Sequence, residues 1–195
     1  MATNNVRITH FSGEAIETTV TSRASVVDNW VHSIPAGRKL IVGLDCEWRP
    51  NTTPFMNNKT ALLQLCVGTK CLILQLFYLD YIPQSLKDFL RDPNHTFVGV
   101  EVERDVAKLG ADYGLSCTSV VDVREVTLAK WPNMFWRKPG LKDIAKEVAG
   151  ISMPKPMSVC RSDWQQRILE EKQIECACID AFASCRIGHV LLKDR

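Results

Sequence analysis

Four acidic residues at three places give this sequence its strongest chemical signal. Asp45 and Glu47 end the run LIVGLDCEW, Asp105 follows FVGVEVER, and Asp180 lies in QIECACIDAFAS. Strand side chains alternate between faces, so Asp45 and Glu47 point the same way, about 6–7 Å apart. Two carboxylates held so close repel each other unless a cation lies between them. Mg²⁺ and Mn²⁺ prefer such oxygen ligands, and a pair of these ions suits phosphodiester cleavage.

Each carboxylate also has an interpretation without a metal. Asp45 and Glu47 could form a solvated strand end, and Asp105 could stabilise a helix N-terminus. Asp180 could pair with an arginine or with the backbone, because an isolated carboxylate near the core is costly. The order of the three places along the chain favours one shared metal site.

Size and composition predict a single globular domain over residues 1–195. The chain contains 46% hydrophobic and 24% charged residues, which is the balance of a folded domain. Its net charge is only +2. Nucleic-acid binding would therefore depend on a local basic patch or on metal ions.

The N-terminus and the cysteines indicate an intracellular protein. The segment MATNNVRITHF lacks the basic and apolar regions of a signal peptide, and no apolar run has the length of a membrane span. The eight cysteines are scattered, with only Cys176 and Cys178 close together. We expect reduced thiols, no disulfide, no membrane association, and a cytoplasmic location with the nucleus as the alternative.

Hydrophobic patterns predict the elements that position the acidic residues. The first half begins with a hairpin at 5–10 and 16–20, and a helix capped by Thr21 or Ser22 then runs to about Ile34. A strand at 40–46 and a second hairpin at 61–67 and 71–76 follow. The next elements are a helix at 83–91, a strand at 96–102 and a helix at 104–114.

The second half is richer in helices. It reads as a strand at 118–123 with a helix after it, a helix at 141–149, a loop at 152–157, a helix near 162–170 and a final helix from about 173 to 192. Early strands with a hairpin, followed by helices, predict an α/β fold. We expect a mixed sheet of about five or six strands with helices on both faces.

The motifs resemble the DEDD superfamily of 3′–5′ exonucleases, which have the ribonuclease H-like, DnaQ-type fold. The similar phrases are VGLDCEW, FVGVEVERDVAKL and SDWQQRILEEKQIECACIDAFASCRIG. The branch they resemble contains the Werner-syndrome exonuclease domain and ribonuclease D, and the resemblance covers about residues 25–192. A finer similarity is to small plant exoribonucleases that associate with Argonaute complexes and clear cleaved RNA fragments.

The resemblance implies a function and a set of site residues. Asp45, Glu47, Asp105 and Asp180 would bind two Mg²⁺ or Mn²⁺ ions around the scissile phosphate, and Glu47 would also contact the terminal ribose. The implied reaction degrades single-stranded RNA from its 3′ end to nucleoside monophosphates. The plant similarity further implies a homo-oligomer, a ring of six copies, and Argonaute as a partner in RNA silencing.

The chain departs from the family where the attacking water is oriented. One branch has a tyrosine four residues before the last Asp, and this chain has Cys176 there. The other branch has a histidine five residues before it, and this chain has Glu175. Cys176 or Glu175 is therefore a candidate catalytic residue. Glu101 also replaces a residue that is usually glycine.

Three functions stay open at this point. The first is a 3′–5′ exoribonuclease, and the second is a Werner-type DNA exonuclease with the same mechanism. The third is a catalytically weak module that binds RNA ends or supports assembly, since the usual water-orienting residue is missing.

An aromatic segment near residue 131 could contact RNA or protein. It places Trp131, Phe135 and Trp136 beside Arg137 and Lys138. Bases stack on such rings, but three large aromatics exceed what a monomer surface normally exposes. We expect the rings to fill the core edge or a subunit interface.

Overall fold

A seven-stranded mixed sheet forms the centre of the protein. The computed structural model describes residues 5–154 and 157–193. The strands within them are β1 (Asn5–Phe11), β2 (Glu14–Thr21), β3 (Leu40–Trp48), β4 (Thr60–Val67), β5 (Lys70–Gln75), β6 (His95–Gly99) and β7 (Val120–Asp122). Their order across the sheet is β1-β2-β5-β4-β3-β6-β7.

The strand β3 lies between an antiparallel and a parallel neighbour. It pairs antiparallel with β4 and parallel with β6, which in turn pairs parallel with β7. The N-terminal hairpin joins the same sheet because β2 pairs parallel with β5. The predicted mixed sheet is confirmed, and this hairpin extends it to seven strands rather than five or six.

Helices cover both faces of the sheet, as predicted. Within the described residues they are α1 (Ala24–His32), α2 (Gln84–Arg91), α3 (Val102–Tyr113), α4 (Val123–Lys130), α5 (Leu141–Ala149), α6 (Met157–Cys160) and α7 (Glu171–Leu191), with a 3₁₀ turn at Leu76–Tyr78. One apolar core lies between the sheet and α1 to α3. A second core lies between the opposite face and α4 to α7.

The long helix α7 packs closely on β3 through small side chains. Its buried face includes Ala177, Ala181, Cys185 and Gly188. A Cβ atom added to Gly43 of β3 would lie 1.9 Å from the carbonyl oxygen of Ala181. Glycine is needed for this approach. Because Asp180 adjoins Ala181 and Asp45 lies two residues after Gly43, the contact brings both carboxylates to one place.

The predicted start of the first helix is wrong. The helix begins at Ala24 and its N-cap residue is Arg23, whose amide donates a hydrogen bond to the hydroxyl of Thr21, so neither Thr21 nor Ser22 is the N-cap residue. The amide of Ala24 instead donates to the carboxylate of Asp80 at 2.8 Å. The capping group therefore comes from a loop distant in sequence, which a local pattern does not reveal.

The helix predicted near 162–170 is also wrong. This segment forms turns, and its backbone carbonyls bind side chains from another part of the chain. The carbonyl of Gln165 accepts from the hydroxyl of Tyr78, and the next two carbonyls accept from the amide of Gln75. The indole of Trp164 is buried and anchors the segment. These contacts replace helical hydrogen bonds.

Two further predictions need smaller adjustments. The strand predicted at 96–102 ends at Gly99, since Glu101 adopts a left-handed backbone conformation and α3 begins at Val102. The loop predicted at 152–157 includes residues 155–156, which lie outside the described residues. The other predicted strands and helices are present, with ends that differ by a few residues.

Candidate active site

Three carboxylates meet where the end of β3 faces the middle of α7. One oxygen from each of Asp45, Glu47 and Asp180 lies within 4.8 Å of the other two. Asp180 is buried, and the two β3 residues are half-buried. The strand register shifts between Glu47 and Trp48, an irregularity of the kind that often re-aims side chains beside active sites.

Asp105 approaches this group from the first turn of α3. Its side chain is buried, and it is not one of the three carboxylates whose oxygens meet. Burial, together with the nearby charge of Asp45, raises the pKa of Asp105 to about 9. The structure therefore places the fourth predicted ligand beside the cluster, where a cation would favour its ionised form.

The donor set fits a divalent cation. Carboxylate oxygens are hard ligands suited to Mg²⁺ or Mn²⁺, and those of Asp45, Glu47 and Asp180 are close enough to share one ion. A cation between them would offset the repulsion of their like charges.

Cys176 lies beside the carboxylates, and Glu175 does not. Cys176 is buried one helical turn before Asp180. Burial, followed by the charges of Asp180 and Glu47 and by the neighbouring Cys160, raises the pKa of its thiol well above the ordinary range. Glu175 is exposed and lines a cavity with residues of β1. The site therefore contains a neutral thiol, which is a weak hydrogen-bonding group.

Gln64 is a polar neighbour of the site that our sequence analysis missed. It is fully buried and lies opposite Asp45 in the β3–β4 pair, so both side chains lie on the same face of the sheet. Neither polar atom of its amide has a hydrogen-bond partner among the described residues. The available signal was a glutamine inside the otherwise apolar strand ALLQLCV.

The aromatic segment divides into a packed part and an exposed part. Trp131 and Phe135 pack against the core on the α7 side of the sheet, as expected for the core edge. Trp136 is 92% exposed, and the guanidinium of Arg137 lies 5.6 Å from the centre of its ring. One of the three rings is therefore left at the surface.

A cavity elsewhere on the molecule is separate from the carboxylate site. It has a volume of about 490 Å³ and lies at the start of β3, lined by Lys39, Asn94 and His189 among other residues. The carboxylates lie at the other end of that strand.

Among the described residues, we find no helix with the length and apolarity that crossing a membrane requires.

The fold and the carboxylate cluster are typical of a metal-dependent nuclease, and a match to a family model identifies the family. Residues 21–194 match the model of the 3′–5′ exonuclease family. The chain therefore belongs to this family, of the DEDD type. The matched range contains Asp45, Glu47, Asp105 and Asp180.

Curated relatives contain a similar domain. An Arabidopsis thaliana protein described as a 3′–5′ exonuclease is 32% identical over 152 residues, which are 77% of this chain and 52% of the relative. The bifunctional 3′–5′ exonuclease/ATP-dependent helicase WRN of Mus musculus is 32% identical over 145 residues, 73% of this chain and 10% of that protein. The chain thus spans about half the length of these relatives, or less.

A solved structure shows the same fold. RNase D of Escherichia coli, an exoribonuclease involved in structured RNA processing, matches 91% of this chain and 45% of its own with a TM-score of 0.73 and 21% identity. The predicted ribonuclease H-like, DnaQ-type fold is thereby confirmed.

Proposed function

We propose that this domain is a 3′–5′ exoribonuclease that degrades single-stranded RNA to nucleoside monophosphates. The observation that carries the proposal is the meeting of Asp45, Glu47 and Asp180 within 4.8 Å, in a chain of the 3′–5′ exonuclease family. Buried Asp105 adds a fourth carboxylate from a separate element.

The four carboxylates would hold two divalent ions, Mg²⁺ or Mn²⁺. Such ions, when bound, neutralise phosphate charge and lower the pKa of water. The tight packing of Ala181 against Gly43 supports a role for α7 in holding Asp180 rigidly. Glu47, which is half-buried at the strand end, would accept a hydrogen bond from the terminal ribose.

RNA is proposed as the substrate because the motifs resemble small plant exoribonucleases. The carboxylate geometry serves RNA and DNA equally well, so it does not by itself favour either polymer. Clearance of cleaved RNA fragments beside an Argonaute partner, in the cytoplasm, belongs to the same proposal. The 2′-hydroxyl is the group by which an RNA-specific enzyme would distinguish the two polymers.

A matched pair of substrates tests this function. Purified protein is incubated with 5′-labelled RNA and DNA of one sequence, in Mg²⁺, in Mn²⁺ and in EDTA. We expect the RNA to shorten stepwise from its 3′ end, and EDTA to stop this reversibly. Faster cleavage of DNA would replace the proposal with the Werner-type alternative.

A second candidate is an RNA-end-binding module with little catalysis. The specific observation in its favour is the neutral, buried thiol of Cys176, where one family branch has a tyrosine. RNA binding without cleavage in either metal, together with cleavage by Cys176→Tyr, would support this candidate over the first.

A further inference from the structure

Glu101 occupies a backbone conformation that usually requires glycine. It immediately precedes α3 with φ 58° and ψ 25°, a left-handed region that other residues rarely adopt. Its amide donates a 2.7 Å hydrogen bond to Asp122 at the end of β7, which holds the turn in place. Backbone strain of this kind clusters at functional sites.

The carboxylate of Glu101 binds three cations from three segments. Its Oε1 atom lies 2.9 Å from Nη1 of Arg124 and 3.5 Å from Nζ of Lys138. Its Oε2 atom lies 3.8 Å from Nη1 of Arg104. The hydrogen bond from Arg124 is the largest cause of the lowered pKa of Glu101. The carboxylate is therefore charged at neutral pH.

The three cations differ in their access to solvent. The side chain of Arg124 is 11% exposed, and its Nε donates to the carbonyl of Pro139 at 2.8 Å. Arg124 therefore anchors Glu101 within the protein. The side chains of Arg104 and Lys138 are 70% and 69% exposed, so each can reach an anion in solution.

Glu101 and Arg104 connect this group of charges to the candidate active site. The amide of Asp105 donates to the carbonyl of Glu101, which puts the two residues one helical turn apart. The guanidinium of Arg104 lies 5.5 Å from the ring centre of Trp48, the residue that follows Glu47. An extended nucleic-acid strand that ends at the carboxylates could therefore pass this cluster.

We propose that Arg104 and Lys138 form a phosphate-binding subsite for the nucleic-acid strand, and that Glu101 occupies this subsite until a phosphate displaces it. The inference rests on the proposed nuclease function. Contacts between cations and phosphates dominate nucleic-acid affinity. Glu101 places one negative charge among three cations, so it weakens the attraction of Arg104 and Lys138 for a phosphate without cancelling it.

Two glutamate variants test this role. Glu101→Gln keeps the size of the side chain and removes its charge. Glu103→Gln is the matched control, since Glu103 is exposed on the same helical turn and forms no ion pair within the described part of the chain. Binding of a fluorescent single-stranded RNA is measured with Ca²⁺ replacing Mg²⁺, over about 50–200 mM salt.

We expect Glu101→Gln to bind the RNA about 3- to 10-fold more tightly at low salt. The slope of log K against log salt should stay close to its wild-type value, because the same phosphate contacts form in both proteins once Glu101 is displaced. Glu103→Gln should change affinity less than about twofold and leave the slope at its wild-type value. A role in structure alone would lower the melting temperature of Glu101→Gln without tightening RNA binding, which would overturn the inference.

A second pair of variants covers the case in which Glu101→Gln fails to fold. Lys138→Gln should weaken RNA binding several-fold, and Lys142→Gln, at an exposed position in α5, should not. Equal binding by these two variants would overturn the inference while wild-type cleavage upholds the nuclease function. Wild-type protein that neither binds nor cleaves RNA or DNA would overturn both.

Discussion

Like charges at the candidate site make its residues sensitive to the presence of a cation. The oxygens of Asp45, Glu47 and Asp180 meet within 4.8 Å, so their negative charges repel one another. Loss of one partner of a structural ion pair lowers the stability of the protein whether or not a metal is present. A set of metal ligands behaves differently. Removing one ligand relieves repulsion among these carboxylates in the metal-free protein, and it removes the stabilisation that a bound cation supplies.

Asp45→Ala tests this behaviour. We expect it to abolish nuclease activity, leave the melting temperature in EDTA unchanged or higher, and lose the stabilisation that Mg²⁺ or Mn²⁺ gives the wild type. Activity assays and thermal melts with and without metal measure both effects. Glu147→Ala, at an exposed position in α5, should match the wild type. Full-rate cleavage by Asp45→Ala would contradict the metal-site proposal.

Cys176 tests whether the thiol takes part in catalysis. Because burial and adjacent carboxylates keep the thiol neutral, we expect Cys176→Ala to change turnover by less than about tenfold, or about 1.4 kcal/mol of barrier. Single-turnover cleavage of labelled RNA measures the change. A loss of about 10²–10⁴-fold would instead identify a positioned proton-transfer group.

At the scale of elements, the site depends on how closely α7 lies on β3. Gly43→Ala would place a Cβ atom 1.9 Å from the carbonyl oxygen of Ala181, and backbone atoms have little freedom to retreat. We expect a destabilisation of about 3 kcal/mol and a large loss of activity, because Asp180 moves with α7. Urea unfolding and cleavage assays measure the two effects.

Gly110 supplies the control for this substitution. A Cβ atom there would meet only the carbonyl oxygen of Leu115, at 3.4 Å, and the residue is exposed within α3. Gly110→Ala should therefore raise the free energy of unfolding by about 0.5–1 kcal/mol. Wild-type stability in Gly43→Ala would show that α7 is not held by this contact.

The distant cap of α1 predicts a pH-dependent contribution to stability. The hydrogen bond from the amide of Ala24 is the main cause of the lowered pKa of Asp80. The folded-state pKa thus lies below the unfolded value, so the stabilisation is present above about pH 4. It is lost as the pH falls through the folded-state value.

Asp80→Ala should therefore lower stability at pH 7 and matter less in acid. We expect a cost of about 0.5 kcal/mol at pH 7, the low end for helix caps, because Asp80 is exposed. Urea titrations at pH 7 and near pH 3 measure the difference. A cost that stays constant or grows at the lower pH would contradict the assignment of Asp80 as an ionised cap.

At the scale of the whole molecule, we propose that copies of this chain assemble into a ring. The support is the resemblance to plant exoribonucleases that form ring-shaped oligomers, together with the exposed indole side chain of Trp136. Light scattering should give a mass several times the 22.0 kDa of one chain. Trp136→Glu should lower this mass, since an unpaired carboxylate is costly in an apolar interface.

Phe55→Glu is the control for the assembly prediction. Phe55 is 98% exposed but lies in the loop between β3 and β4, outside the aromatic segment. Its replacement should leave the mass unchanged. A wild-type monomer at tens of micromolar would refute self-association, and equal effects of both variants would remove Trp136 from the interface.

Much of the fold and of the candidate site follows from local pattern. The apolar run before Asp45 marks a buried strand, and the two-residue spacing to Glu47 puts both carboxylates on one face. The hairpins and the long final helix follow from hydrophobic periodicity, and the order of these elements along the chain predicts the mixed sheet. These features need only the burial preference of each side chain and its position within its own element.

Only the tertiary structure determines the features that depend on contacts between residues distant in the sequence. The approach of α7 to Gly43 brings Asp180 to Asp45. Side chains of Gln75 at the end of β5 and of Tyr78 in the turn after it keep residues 162–170 out of a helix. The cations around Glu101 come from three segments. Close packing and hydrogen bonds between remote residues select these arrangements, because their energies exist only after the chain has folded.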